Sequence, residues 1–68
     1  MPSFTIEYAT SEDAPAVAKR QIDAFDVAEA DVQARRAFMV VRQHHEFAGY
    51  RILNAAGWIE RPWRREDL

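Results

Sequence analysis

A chain of 68 residues without cysteine has to stabilise its fold with one small hydrophobic core. A domain of this length buries only about 60% of the surface that its unfolded chain exposes, so it is marginal as a monomer. Disulfides, a metal or a partner chain commonly supply the missing stability. Without cysteine, disulfides and thiolate metal sites are excluded. We therefore expect residues 1–68 to form a single small domain that is a homo-oligomer or binds a protein partner.

The composition is that of a folded protein rather than a disordered one, since 49% of the residues are hydrophobic. No apolar run approaches the roughly 18 residues needed to span a membrane. Residues 1–4 lack the basic start and the apolar segment of a signal peptide. The sequence therefore predicts an intracellular, cytoplasmic protein that does not engage a membrane.

Charge is distributed unevenly along the chain, although the formal net charge is only −2. Residues 1–31 carry seven acidic and two basic side chains, whereas residues 32–68 carry seven arginines and four acidic side chains. Because opposite charges attract, we expect the two halves to pair with each other, within one chain or between chains. Internal pairing is favoured over a charged partner surface.

The N-terminal third predicts a strand followed by a helix. Residues 4–8 alternate apolar and polar side chains, which is typical of a half-buried strand. Thr10 or Ser11 is then placed to cap a helix, and Pro15 is acceptable in a first turn. The side chains that would share the buried side of this helix are Ala14, Ala18, Ile22 and Phe25. We expect an edge strand and a first helix over residues 12–25.

A second, longer helix is predicted over residues 27–48, which contain neither glycine nor proline. Asp26 is placed as its N-cap and Gly49 as its C-cap. Residues 37–41 are apolar on every side of this helix. A helix that is apolar all round is normally buried all round, which so short a chain cannot achieve alone. The predicted interface on this helix consists of Phe38, Met39, Val40 and Val41.

Residues 50–56 allow two interpretations. Their apolar spacing suits a short third helix that ends at Gly57. The alternative is a hairpin with strands at residues 50–53 and 58–61. The helix is favoured, because two alanines match a tight hairpin turn poorly and favour a helix.

Two tryptophans, Trp58 and Trp63, are the large apolar side chains of the C-terminal segment. Tryptophan is enriched at the energetic centres of protein interfaces, so we assign both to an interface. The alternative is that they close the small core. Pro62 would end a short strand between them, for which residues 4–8 are a candidate partner strand. Residues 63–68 are interpreted as a charged tail.

No catalytic, metal-binding or cofactor-binding residue is predicted. His44 and His45 are adjacent, so on a helix they diverge by about 100° and do not share a face for a metal. The two glycines are too few and too far apart for a phosphate-binding loop. The arginines of residues 32–68 suit nucleic acid superficially. The sequence pI of about 5.6 argues against that partner, because basic binding domains have values above about 9.

Residues 4–18 resemble the opening of the GNAT-type N-acetyltransferases. In that family a first strand leads through an Ala-Thr-x-x-Asp turn, matched here by Ala9, Thr10 and Asp13, into the first helix. The resemblance continues loosely to Phe25, about a third of the chain, and implies a strand, helix, helix beginning. The acetyl-CoA loop of the family, Arg/Gln-x-x-Gly-x-Gly/Ala, has no counterpart here. The resemblance therefore carries over no functional residue and no cofactor.

Together these patterns predict a mostly α fold with a small β component: an N-terminal strand, two main helices and a short third helix or hairpin. The predicted function is that of a non-catalytic interaction module, self-associating or serving as an accessory subunit of a larger complex. A truncated or repurposed acetyltransferase relative and a small nucleic-acid-binding protein are the alternatives.

Overall fold

The computed structural model describes residues 2–43 and 47–65. Their elements, in chain order, are β1 (Ser3–Ala9), β2 (Ala18–Asp23), α1 (Val27–Val41), β3 (Gly49–Asn54) and β4 (Ile59–Arg65). The strands form one antiparallel sheet in the order β2-β1-β3-β4, and α1 packs on one face of it. Strand makes up 43% of the described residues and helix 25%, so the prediction of a mostly α fold is wrong.

The predicted strand at residues 4–8 is confirmed, but it lies at the centre of the sheet rather than at an edge. β1 pairs with β2 on one side and with β3 on the other. Its alternation places Phe4, Ile6 and Tyr8 in the core beneath α1. The intervening side chains point to the opposite face of the sheet.

The predicted first helix over residues 12–25 is wrong, because its second half forms β2. Ala18 and Ile22 stand opposite Tyr8 and Phe4 in the register, on the side that faces α1. Two residues four apart share a face in a helix and also in a strand, so this spacing fits both structures. Residues 10–17 form a loop that includes a turn closed by the hydrogen bond from Ala14 N to Ser11 O at 3.3 Å.

Asp26 caps the helix as predicted, accepting a hydrogen bond from the Glu29 N–H at 2.9 Å, while Glu29 accepts one from the Phe25 N–H at 3.1 Å. The predicted end at Ala48 is wrong, because α1 stops at Val41 and Gly49 begins β3 instead of capping. A 15-residue helix is about 22 Å long, which matches strands of six or seven residues. No helix in residues 2–43 or 47–65 has the length and hydropathy to cross a membrane.

The favoured third helix is also wrong, and the alternative hairpin is present. The Asn54 side-chain oxygen accepts hydrogen bonds from the N–H groups of Ala56 at 2.9 Å and Trp58 at 3.0 Å. Gly57 takes the one left-handed position of the turn, with φ of +90°. Ala55 and Ala56 have negative φ, so alanine fits where the turn needs no left-handed residue.

The core is richest where the C-terminal half of α1 meets β1 and β3. Tyr8, Phe38, Phe47 and Tyr50 form an aromatic cluster with ring centroids between 4.9 and 6.3 Å apart. Tilted and edge-on pairs of this kind contribute about 0.5–1.5 kcal/mol beyond their buried area. The cluster therefore fixes α1 on the sheet.

β4 is an edge strand that pairs irregularly with β3. The register shifts twice, between Tyr50 and Ile52 and again between Ile52 and Leu53. Pro62 lies within β4, which continues to Arg65, so the predicted end of the strand at Pro62 is wrong. Proline has no N–H to donate, which is tolerated at an edge or a bulge.

Replacing Gly49 with alanine is expected to destabilise the fold by about 1–3 kcal/mol, the usual range for overpacking. A Cβ at this position would overlap the backbone carbonyl of Arg64 and lie 2.9 Å from Cε2 of Trp63. Urea denaturation measures the change. The control is Gly57→Ala, which has open space but a positive φ and is expected to lose about 1 kcal/mol. A larger loss for the control would contradict the close approach at Gly49.

Replacing Tyr8 with phenylalanine is expected to leave stability at pH 7 unchanged or raised by up to about 1 kcal/mol. The Tyr8 hydroxyl is buried and has no hydrogen-bond partner among the described residues. Burial raises the pKa of Tyr8, and the nearby charge of Arg20 lowers it by less.

The neutral hydroxyl is therefore favoured in the folded state, and stability is lost as the pH rises above the unfolded pKa of about 10. Denaturation at neutral and alkaline pH should show a smaller alkaline loss for Tyr8→Phe. Tyr50→Phe, which removes a hydroxyl bonded to Asp31, is the control and should destabilise. A larger loss for Tyr8→Phe than for this control would show that the Tyr8 hydroxyl has a partner.

Candidate functional site

The predicted helix interface is divided between the core and the solvent. Phe38 is buried within the aromatic cluster, and Val41 is partly buried. Met39 and Val40 are exposed on the side of α1 that points away from the sheet. The expectation that residues 37–41 expose apolar surface thus rests on two side chains.

The two predicted tryptophans lie on the β3–β4 hairpin. Trp58 immediately follows the turn and is 73% exposed. Trp63 is partly buried, and its indole Nε1–H donates a hydrogen bond to the Ala9 carbonyl oxygen at 3.1 Å. The ring lies beside Gly49, where the lack of a side chain leaves room for it. Trp63 therefore stabilises the packing of the fold and also contributes to the surface of the hairpin.

Ile59 and Leu53 extend the apolar surface of this hairpin. They are partners in the register, so their side chains share the face of the sheet opposite α1. Ile59 is 59% exposed and Leu53 is partly buried. We call the group Leu53, Trp58, Ile59 and Trp63 the hairpin surface. Sequence reasoning missed Leu53 and Ile59, because their pairing depends on the hairpin register.

The charged side chains near the hairpin surface are paired within the chain. The Glu60 carboxylate accepts a hydrogen bond from the Asn54 amide at 2.9 Å. Arg51 Nε lies 2.6 Å from the Glu7 carboxylate, and both side chains are about 15% exposed. The Arg51 guanidinium also donates to the carbonyl oxygens of Glu12 and Ala14 at 3.4 Å, which fixes the loop of residues 10–17 over this face.

Asp31 links α1 to the two strands beside it. One of its oxygens accepts a hydrogen bond from the Tyr50 hydroxyl at 2.9 Å, and the other lies 3.4 Å from Arg61 and 4.0 Å from Arg35. Next to it is a cleft of about 240 Å³, lined by Asp31, Tyr50, Arg61, Pro62, Trp63 and Arg64. Both carboxylate oxygens of Asp31 are therefore engaged within the chain.

The expected attraction between the two halves of the chain is confirmed by these ion pairs. Glu7 and Asp31 come from the acidic half, and their arginine partners come from the basic half. The arginines do not form one basic face, since Arg51 and Arg61 lie on opposite faces of the sheet. The four-residue spacing of Asp31 and Arg35 predicts an ion pair on α1, and this pair is present at 4.0 Å. No sequence signal selected the pairs of Glu7 with Arg51 and Asp31 with Arg61, because they join different elements.

The adjacent histidines, His44 and His45, and Glu46 lie outside the described residues. Within residues 2–43 and 47–65, no group of three or more metal-ligating side chains is found. No family model, curated protein or solved structure matches the chain. The GNAT-type resemblance therefore remains a prediction.

Replacing Asp31 with asparagine is expected to lower the free energy of unfolding by about 1–2 kcal/mol. The substitution removes a negative charge that pairs with Arg61 and that makes the hydrogen bond from the Tyr50 hydroxyl stronger. Urea denaturation at low and high salt measures the loss, which should shrink as salt screens the pairs. Asp23→Asn is the matched control, since Asp23 is exposed and accepts only the Ser3 hydroxyl at 3.1 Å. Equal losses for both variants would contradict a linking role for Asp31.

Proposed function

We propose that this chain is a non-catalytic interaction module that self-associates through the hairpin surface, with a second copy of the chain as its partner. One observation carries the proposal. The consecutive residues Trp58 and Ile59 are large and apolar, and their side chains are 73% and 59% exposed beside a turn that side-chain hydrogen bonds hold in place. Rigid, exposed aromatic and aliphatic side chains are typical anchors of protein interfaces.

The small core supports a need for a partner. Of the ten buried hydrophobic residues in the described part of the chain, four are alanines: Ala9, Ala24, Ala30 and Ala34. Alanine buries little apolar area, so the core stabilises the monomer weakly. Binding that occurs only in the folded state adds its free energy to that stability.

Charge favours the hairpin surface over the outer side of α1 as the contact between copies. On the face of the hairpin surface, the charge of Arg51 is neutralised by Glu7, and nearby Glu60 accepts a hydrogen bond from the Asn54 amide. On the outer side of α1, exposed Val32 and Met39 are bordered by Arg36, whose side chain lies towards β2. A symmetric contact that covers this border would bring two copies of the cation together.

The size of the hairpin surface indicates a weak, reversible contact. Two strands of six and seven residues are only about 20 Å long and about 10 Å wide with their spacing. Stable complexes usually bury about 1,200–2,000 Å² in total. We therefore expect dissociation constants in the range of about 1–100 μM, where association responds to concentration.

The test is sedimentation velocity over concentrations that bracket this range, with the wild-type chain and two single variants. Ile59→Lys places a charge in the hairpin surface and is expected to leave the chain monomeric throughout. Met39→Lys is the matched control, since Met39 is 53% exposed on α1, and it is expected to associate like the wild type. Circular dichroism checks that both variants fold.

Two outcomes would overturn the proposal. A wild-type chain that stays a folded monomer at all concentrations excludes self-association. Association that Met39→Lys abolishes and Ile59→Lys preserves would assign the contact to the outer side of α1, as residues 37–41 first indicated.

A further inference from the structure

Arg20 occupies a position in β2 where the strand pattern calls for an apolar residue. Ala18, Arg20 and Ile22 alternate on the side of β2 that faces α1, and Arg20 stands opposite the fully buried Ile6. Because β2 is an edge strand, the guanidinium can reach solvent from there. The methylene stem of Arg20 can cover apolar surface there, but the guanidinium itself adds nothing to the apolar core.

A second arginine lies across the gap between β2 and α1. Arg20 and Ile22 from the strand and Gln33, Arg36 and Ala37 from the helix line a groove of about 270 Å³. Gln33 donates a hydrogen bond to the Asp23 carbonyl at 3.0 Å, which fixes its side chain at the end of this groove. The walls are therefore cationic, with short apolar side chains between them.

Neither arginine of the groove has an ion pair or a hydrogen-bond partner among the described residues. In contrast, Arg35, Arg51 and Arg61 each contact a carboxylate. Two like charges that line one groove repel each other, and an anion between them converts this repulsion into attraction.

We propose that the groove between β2 and α1 binds the phosphate group of a small organic phosphate, with Arg20 and Arg36 as its two cationic ligands. A phosphate monoester is close to a dianion at neutral pH and presents three oxygens, which suits two guanidinium groups better than a single carboxylate does. Ile22 and Ala37 provide apolar contact for the organic part.

The test is a titration followed by two-dimensional NMR of the ¹⁵N-labelled chain, with inorganic phosphate, phenyl phosphate and benzoate as probes. Saturable shifts are expected at the amides of Arg20, Gln33 and Ala37, with phenyl phosphate binding most tightly. Arg20→Gln and Arg36→Gln are each expected to weaken binding about tenfold or more, the usual effect of losing one charge-assisted hydrogen bond. Both side chains are exposed, so the fold should persist.

Arg35→Gln is the matched control, because Arg35 is an exposed arginine on α1 that pairs with Asp31 rather than lining the groove. It is expected to bind phenyl phosphate like the wild type. An equal loss of binding in this control would show that binding depends only on the net charge of the chain, and would overturn the proposed site. Shifts that do not saturate, or benzoate binding as tight as phenyl phosphate, would overturn the assignment of a phosphate group.

Discussion

The packing of α1 against the inward side chains of β1 and β3 is the contact on which the rest of the structure depends. Ala30 and Ala34 are buried and small, so the helix approaches the sheet closely, and Phe38 fills the space between the rings of Tyr8 and Tyr50. This placement also fixes the two flanks of the helix. Asp31 faces β3 and β4, where Tyr50 and Arg61 meet it, while Gln33 and Arg36 face β2. The packing of the apolar side of α1 therefore determines which polar side chains meet on each flank of the helix.

Local chemistry was sufficient to predict two features of the fold. The alternation of residues 4–8 identified β1, and the Asp26 carboxylate identified the start of α1. The same reasoning failed over residues 12–25, because Ala18 and Ile22 are four apart and this spacing fits a strand as well as a helix. It also failed at Ala55 and Ala56, where the Asn54 side chain and Gly57 satisfy the turn and leave the alanines unconstrained.

The candidate site was predictable only where residue type alone carries the information. Trp58 is large and apolar, so its residue type indicated an interface without any knowledge of the fold, and the structure leaves it 73% exposed. Leu53 and Ile59 became neighbours only through the hairpin register. The pairing of Glu7 with Arg51 and the groove between Arg20 and Arg36 join distant segments, and one sequence contains no signal that selects these partners.

Pro62 in the edge strand β4 determines what kind of assembly this domain can build. It interrupts the row of backbone donors that another strand would need, and the two register shifts beside it disturb the regular spacing of that row further. The hairpin can therefore contact a neighbouring molecule through its side chains, but its edge strand is a poor template for pairing with a further strand. Growth by adding strand after strand is disfavoured on this side of the sheet.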